Sequence, residues 1–173
     1  FTLIELLISI VIVTTLLAMG VPSIKDFMKN NRLSAQSNAL VTGLQVARSE
    51  AVKRGADTVI CASSNQTSCT GSGDWDKGWI VFSDLNTNGT PDVGGSAPLC
   101  EETEDCMLRT SGALSGKHKI TSTAANLRFL PTGLASNGNF TLNLVADQCE
   151  RNQVRKIQVT LQGHTIVTRQ ACP

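Results

Sequence analysis

FTLIELLISIVIVTTLLAMGV, Phe1 to Val21, holds one charged side chain, Glu5, and then meets Pro22. At 1.5 Å per residue, about 20 apolar residues make a helix as long as the hydrocarbon core of a bilayer is thick. The run therefore predicts a helix that lives in lipid or in an equally dry protein assembly. A secretory signal would add a basic leader, a shorter apolar core and a small-residue cleavage site. None of these surrounds the run. The start at Phe1 suggests a chain already cut on the N-terminal side of an apolar segment that stays in the working protein.

Glu5 is the anomaly. A carboxylate in a membrane helix costs about 2.5 to 3.5 kcal/mol at mid-depth and less toward the end, so it needs a positive partner. The first cation in the sequence besides the α-amine of Phe1 is Lys25. Two pairings follow. Glu5 meets its own amine one helical turn away, or it neutralises the amine of a neighbouring copy, a polar lock between packed helices where water does not compete.

Beyond Pro22, Leu33, Leu40, Leu44, Ala47 and Ala51 recur near the 3.6-residue period with Val41 and Val52 beside them. Lys29, Arg32, Gln36, Arg48 and Lys53 fill the other positions, so the helix should continue as an amphipathic rod. Arg54 followed by Gly55 is a good C-terminal cap. The whole helix would reach about 80 Å. Pro22 removes one backbone hydrogen bond and crowds the carbonyl of Ala18, which predicts either a plain bend or local melting near Ala18 to Gly20.

From Ala56 the text turns to short β-rich runs: 57–62, 78–83, 107–109, 118–122, 126–130, 140–145, 155–161 and 164–169. Along Lys156 to Leu161 polar and apolar residues alternate, and Gln162-Gly163 links to the last run. The expected fold class is α+β: a long N-terminal helix packed on an antiparallel meander with tethered loops. The chain divides into an apolar helix over 1–24, its amphipathic continuation over 25–55 and a β-rich head over 56–173. Residues 63–74 and 85–105 read as long surface loops. The head has a typical single-domain size. Aromatics make up 4% and the formal charge is +1, which demands neither nucleic acid nor an acidic surface as partner.

Six cysteines allow 15 pairings. Cys61 with Cys69, Cys100 with Cys106 and Cys149 with Cys172 are favoured, because each pair closes a turn-rich segment and the last pins the C-terminus. No pair has Cys-x-x-Cys spacing and the two histidines are isolated, so a metal site is the weaker alternative. Disulfides place the head in a periplasmic or extracellular compartment.

Phe1-Thr2-Leu3-Ile4-Glu5 before an apolar helix with Pro22 resembles the class III signal of type IV pilins and type II secretion pseudopilins. The resemblance implies that prepilin peptidase cuts before Phe1 and methylates its amine. It also implies that Glu5 pairs with the amine of an adjacent subunit, and that Pro22 marks where the helix bends or unwinds in the filament. Gln45 to Val52, Val59-Ile60-Cys61 and Trp75-Asp76-Lys77-Gly78-Trp79 through Asp84, with Asn86 and Gly89, resemble the FimU, FimT and GspH group of minor pilins and pseudopilins. The resemblance is good over the first half and looser in the C-terminal third. Both tryptophans read as core residues packed against the helix, with Trp79, Val81 and Ser83 on one strand face and Ile80 and Phe82 on the other.

Three further motifs compete with bland explanations. Asp84, Asn86, Asn88, Gly89 and Asp92 follow the start of an EF-hand calcium loop, but the twelfth position is Gly95, and an Asx-rich turn explains the pattern better. Lys117, Lys119, Arg151, Arg155, Lys156 and Arg169 would contact DNA if they shared one edge; solvated strand faces account for them otherwise. The Gly-Arg-x-Arg motif of FimT-type DNA receptors is not matched by Gly163-His164-Thr165-Ile166. No catalytic triad, nucleotide-binding glycine pattern or cofactor motif is recognisable, and His118 and His164 read as surface strand residues. The expected protein is a non-enzymatic FimU-like minor pilin, anchored in the bacterial inner membrane with its head in the periplasm, then carried into an extracellular pilus serving adhesion or twitching motility. Its partners would be other pilins and the inner-membrane assembly machinery.

Overall fold

The computed structural model describes residues 2–92, 105–136 and 138–173, and of residues 18–23 and 25 the backbone alone. Helix α1, Leu3–Arg54, runs 52 residues, about 78 Å. It ends where the sequence says it should: Gly55 takes the left-handed conformation at φ 64°. The helix is unbroken from Ala18 to Pro22, so the melting anticipated there is absent. Proline withholds a single N–H, and the turns on either side retain theirs.

Among the described residues eight strands follow: β1 Asp57–Ala62, β2 Trp79–Asp84, β3 Cys106–Ser111, β4 Lys119–Ser122, β5 Asn126–Phe129, β6 Phe140–Val145, β7 Val154–Val159 and β8 Thr165–Gln170, with a 3-10 turn at Trp75–Lys77. They correspond one to one with the eight runs read from the sequence. All pairings are antiparallel, yet the connectivity is not one meander. The strands form two four-stranded sheets, in the orders β3-β2-β1-β5 and β4-β6-β7-β8. β5 returns to the free edge of β1 while β4 leaves for the second sheet, a long-range choice that turn chemistry does not encode.

One core joins the helix to both sheets. Leu33, Leu40, Leu44, Ala47 and Ala51 present the buried stripe of α1 to Ile60, Trp79, Val81, Leu127, Leu142 and Ile157. Trp75 and Trp79 are both buried here, and Trp75 packs its ring on Phe140 at 5.7 Å. Gly43 is the position where Trp79 lies against the helix: a Cβ there would sit 2.6 Å from the indole. Ile80 and Phe82 occupy the opposite face of β2 and form a second, smaller cluster with Val59 and Cys61. The Cys61–Cys69 disulfide holds Cys69 of the following loop against that cluster.

Three of the polar residues flanking the helix stripe, Arg48, Gln36 and Lys29, are tethers rather than a plain wet face. Arg48 donates through Nε to the carbonyl of Gly133 and through Nη2 to that of Gln162, both at 3.0 Å. Gly163 sits so close that a Cβ would collide with Arg48 and with the Gly133 carbonyl. Gln36 donates to the carbonyl of Ser115, and Lys29 to that of Gln148. His118 also departs from expectation. It precedes β4 and is only 4% exposed, and burial holds its imidazole below the ordinary value of 6.5.

Candidate functional site

Over Leu3 to Leu17 the first half of α1 packs on none of the described residues. From Leu3 to Leu17 every large apolar side chain is exposed, and Ile24, Phe27 and Met28 continue the bare surface toward the head. The hydroxyls in this stretch satisfy themselves. Ser9 donates to the carbonyl of Glu5, Thr14 to that of Ile10 and Thr15 to that of Val11, at 2.7 to 2.9 Å. Backbone-bonded hydroxyls of this kind enter an apolar environment at little cost.

Glu5 is different. Its carboxylate makes no hydrogen bond or ion pair among the described residues, and it stands in the first turn of the helix, where the macrodipole favours negative charge. Thr2 at the N-cap makes no side-chain cap either. Phe1 lies outside the described residues, as do Cys100 and the side chain of Pro22. Among the described residues no helix is long and apolar enough to cross a membrane. The apolar side chains described there, Leu3 to Leu17, cover about 22 Å of helix against about 30 Å of hydrocarbon.

Cys149–Cys172 ties the C-terminus to the loop before β7, and Cys61–Cys69 closes the loop after β1. Cys106 is disulfide-bonded, and the cysteine assigned to it from the sequence, Cys100, is outside the described residues.

The Asp84–Asp92 loop is closed by its own bonds. The Asp84 carboxylate accepts from the Gly89 N–H at 2.9 Å and lies 3.2 Å from the Arg128 guanidinium, which also pairs with Asp57. The side-chain amides of Asn86 and Asn88 both donate to Asp92, and Asp105 accepts from the N–H groups of Leu85 and Asp92. Burial pushes the Asp84 carboxyl above its usual range, against the pull of the Gly89 N–H and Arg128. A guanidinium thus faces the carboxylate that would be a cation's first ligand. Among the described residues no cluster of three or more His, Cys, Asp or Glu side chains is arranged to hold a metal.

The six basic candidates for nucleic-acid contact do not share a surface. Alternation along β7 puts Arg155 on the helix-facing side with Ile157 and Val159, and Lys156 on the outer side. Arg169 stands directly opposite Arg155 on β8. Lys119, next to the buried Ile120, faces outward, and Lys117 lies in the turn before it. Arg151, in the disulfide-closed loop, joins Arg155 and Arg169 around one cleft. Sequence reasoning missed that division, although the parity of Arg155 with Ile157 and Val159 carried it.

The family model for GspH, described as type II transport protein GspH, matches residues 36–163. The chain belongs to the GspH family. Its fold is type IV pilin-like. The type IV minor pilin FimU of Pseudomonas aeruginosa superposes with a TM-score of 0.57 at 21% identity, covering 85% of this chain and 92% of that one. The minor pseudopilin EpsH from the Type 2 Secretion System of Vibrio cholerae gives 0.53 at 11% identity, covering 80% and 97%. No curated protein sequence matches the chain. A family member with this architecture is a pilin-like structural subunit, built to assemble with others of its kind.

Proposed function

We propose that the chain is a FimU-like minor pilin, held in the inner membrane by its apolar helix until it is drawn into a type IV pilus, where it primes assembly with other minor pilins. The observation that carries this reading is the contrast within α1: the packed head on one half, bare apolar surface on the other. Burying that surface against sister helices supplies the affinity, since apolar area removed from water contributes about 25 cal/mol per Å². Glu5 sets the register by meeting the methylated amine of a neighbour's Phe1. Prepilin peptidase and the inner-membrane assembly machinery are the partners this requires.

Glu5→Ala tests the lock. The variant should insert into membranes like the parent and be depleted from sheared pili in a pull-down. Normal incorporation would refute the role given to Glu5. The family match also supports a second reading, a subunit of a secretion pseudopilus. Deleting the gene separates the two: lost pili with intact exoprotein release supports the pilin, and the reverse outcome supports the pseudopilin. A DNA-receptor role gains nothing from the geometry, because the basic residues divide between opposite sheet faces.

A further inference from the structure

Arg155 is 5% exposed, has no carboxylate partner among the described residues, and faces a like charge. Its Nη1 donates to the carbonyls of Asn152 and Val154 at 3.0 and 3.3 Å, and among the described residues its other donors make no hydrogen bond. Directly opposite on the neighbouring strand is Arg169, on the same face of the sheet. Like charges so placed repel, and an unpaired buried guanidinium carries a desolvation cost. An anion between the two would offset both penalties.

There is room for one. Arg155 and Arg169 open on a cleft of about 430 Å³ whose third cation is Arg151 and whose far wall is the helix, with Asn30 and Ser34 supplying neutral polar groups. The cleft also contains the carboxylates of Asp26 and Glu150, and neither forms an ion pair with an arginine among the described residues. Arg151 is fixed in place, because the Cys149–Cys172 disulfide closes its loop and its carbonyl accepts from the Cys172 N–H at 2.9 Å. Planar guanidinium groups lining one cleft are suited to a tetrahedral oxyanion.

We propose that this cleft binds phosphate, and that its ligand is the phosphodiester headgroup of a membrane lipid. The lipid assignment rests on the anchoring role given to the apolar helix under Proposed function. Asp26 to Ser34 lie about 3 to 15 Å beyond Ile24 along the helix axis, and the headgroup layer extends about 5 to 8 Å from the hydrocarbon. The end of the cleft at Asp26 then stands at headgroup depth, and the rest of it, from Asn30 to Ser34 at about 9 to 15 Å, opens just above that layer. A lipid held there would fix the head on the membrane surface before assembly, and leaving the membrane would empty the site. DNA is disfavoured as ligand, since it is held by a groove that tracks many phosphates, whereas here three arginines line a single cleft.

The test uses the full chain in maltoside micelles, which contain no phosphate, with the Nε–Hε resonances of Arg155 and Arg169 followed by NMR. Dihexanoylphosphatidylglycerol, inorganic phosphate, acetate and a short DNA duplex are titrated at constant ionic strength. The lipid should shift both resonances saturably, and Arg155→Gln or Arg169→Gln should weaken its binding about tenfold or more. Arg169 is exposed, so its variant gives a folded reference if Arg155→Gln is unstable. Inorganic phosphate or DNA binding as tightly as the lipid overturns the lipid assignment, and no saturable shift with any phosphate overturns the site. Flotation of the chain with phosphatidylglycerol vesicles tests the anchor separately. A chain that fails to float but binds the lipid in micelles loses the anchor and keeps the cleft.

Discussion

Leu7 and Leu44 are the same residue type on the same helix, yet Leu7 is 51% exposed and Leu44 is fully buried. What separates them is what each half of α1 finds to touch. The second half carries an apolar stripe flanked by Arg48, Gln36 and Lys29, whose side chains reach across to the loops of the head. The first half is apolar on all sides, and a helix of that kind is stable only when surrounded. One helix therefore has two jobs: its upper half completes a fold, and its lower half, under the function proposed above, waits for lipid or for sister helices.

The sharpest way to break that division is to truncate both leucines. Leu44→Ala should destabilise the head by about 3 kcal/mol, the cost of a buried leucine's lost contacts plus the cavity left behind. Leu7→Ala should change it by less than about 0.5 kcal/mol. Denaturant unfolding of each variant in the same detergent reads both numbers. Equal effects would sink the two-job description.

A smaller effect is expected at Gly43, where the helix and Trp79 approach most closely. An alanine Cβ would meet the indole at 2.6 Å, an overpacking cost of about 2 kcal/mol, while better helix propensity returns about 1 kcal/mol. The net loss should be about 1 kcal/mol. Combining Gly43→Ala with Trp79→Phe should recover part of it, because the smaller ring makes room. A Gly43→Ala protein as stable as its parent would show that the helix does not rest on Trp79 as described.

The sequence displayed these features unequally, for physical reasons. Leu33, Leu40, Leu44, Ala47 and Ala51 were legible because a helix of fixed pitch turns spacing directly into a face. The eight strands were legible because their runs are short, β-branched and bounded by turn residues. The division into two sheets was not, since whether β5 pairs with β1 or with β4 depends on contacts far apart in the chain. Arg48 looked like part of a wet face, because spacing shows which way a side chain leaves the helix but not that Gly133 and Gly163 make room for it. The cleft at Arg155 was half visible: its parity with Ile157 and Val159 marks an inward charge, and only the β7–β8 register brings Arg169 opposite.

The smallest test concerns the end of the upper half, where Glu50 is joined to Arg54 at 2.7 Å and to Lys53 at 3.4 Å. The hydrogen bond from Arg54, more than any other influence, holds the Glu50 carboxyl below its ordinary value of 4.5. A depressed carboxyl stabilises the fold at every pH above the unfolded value and loses that contribution as pH falls through the folded one. Glu50→Gln should therefore cost about 0.5 kcal/mol at neutral pH, the size of an i,i+4 pair on a helix surface. The difference should shrink below pH 4.5 and disappear in stronger acid, where the parent is protonated as well. A gap that persists or widens in acid would mean that Glu50 acts by packing rather than by charge. The last turn of α1 would then be held by its apolar contacts alone, and the contrast between its two halves would rest wholly on what each one buries.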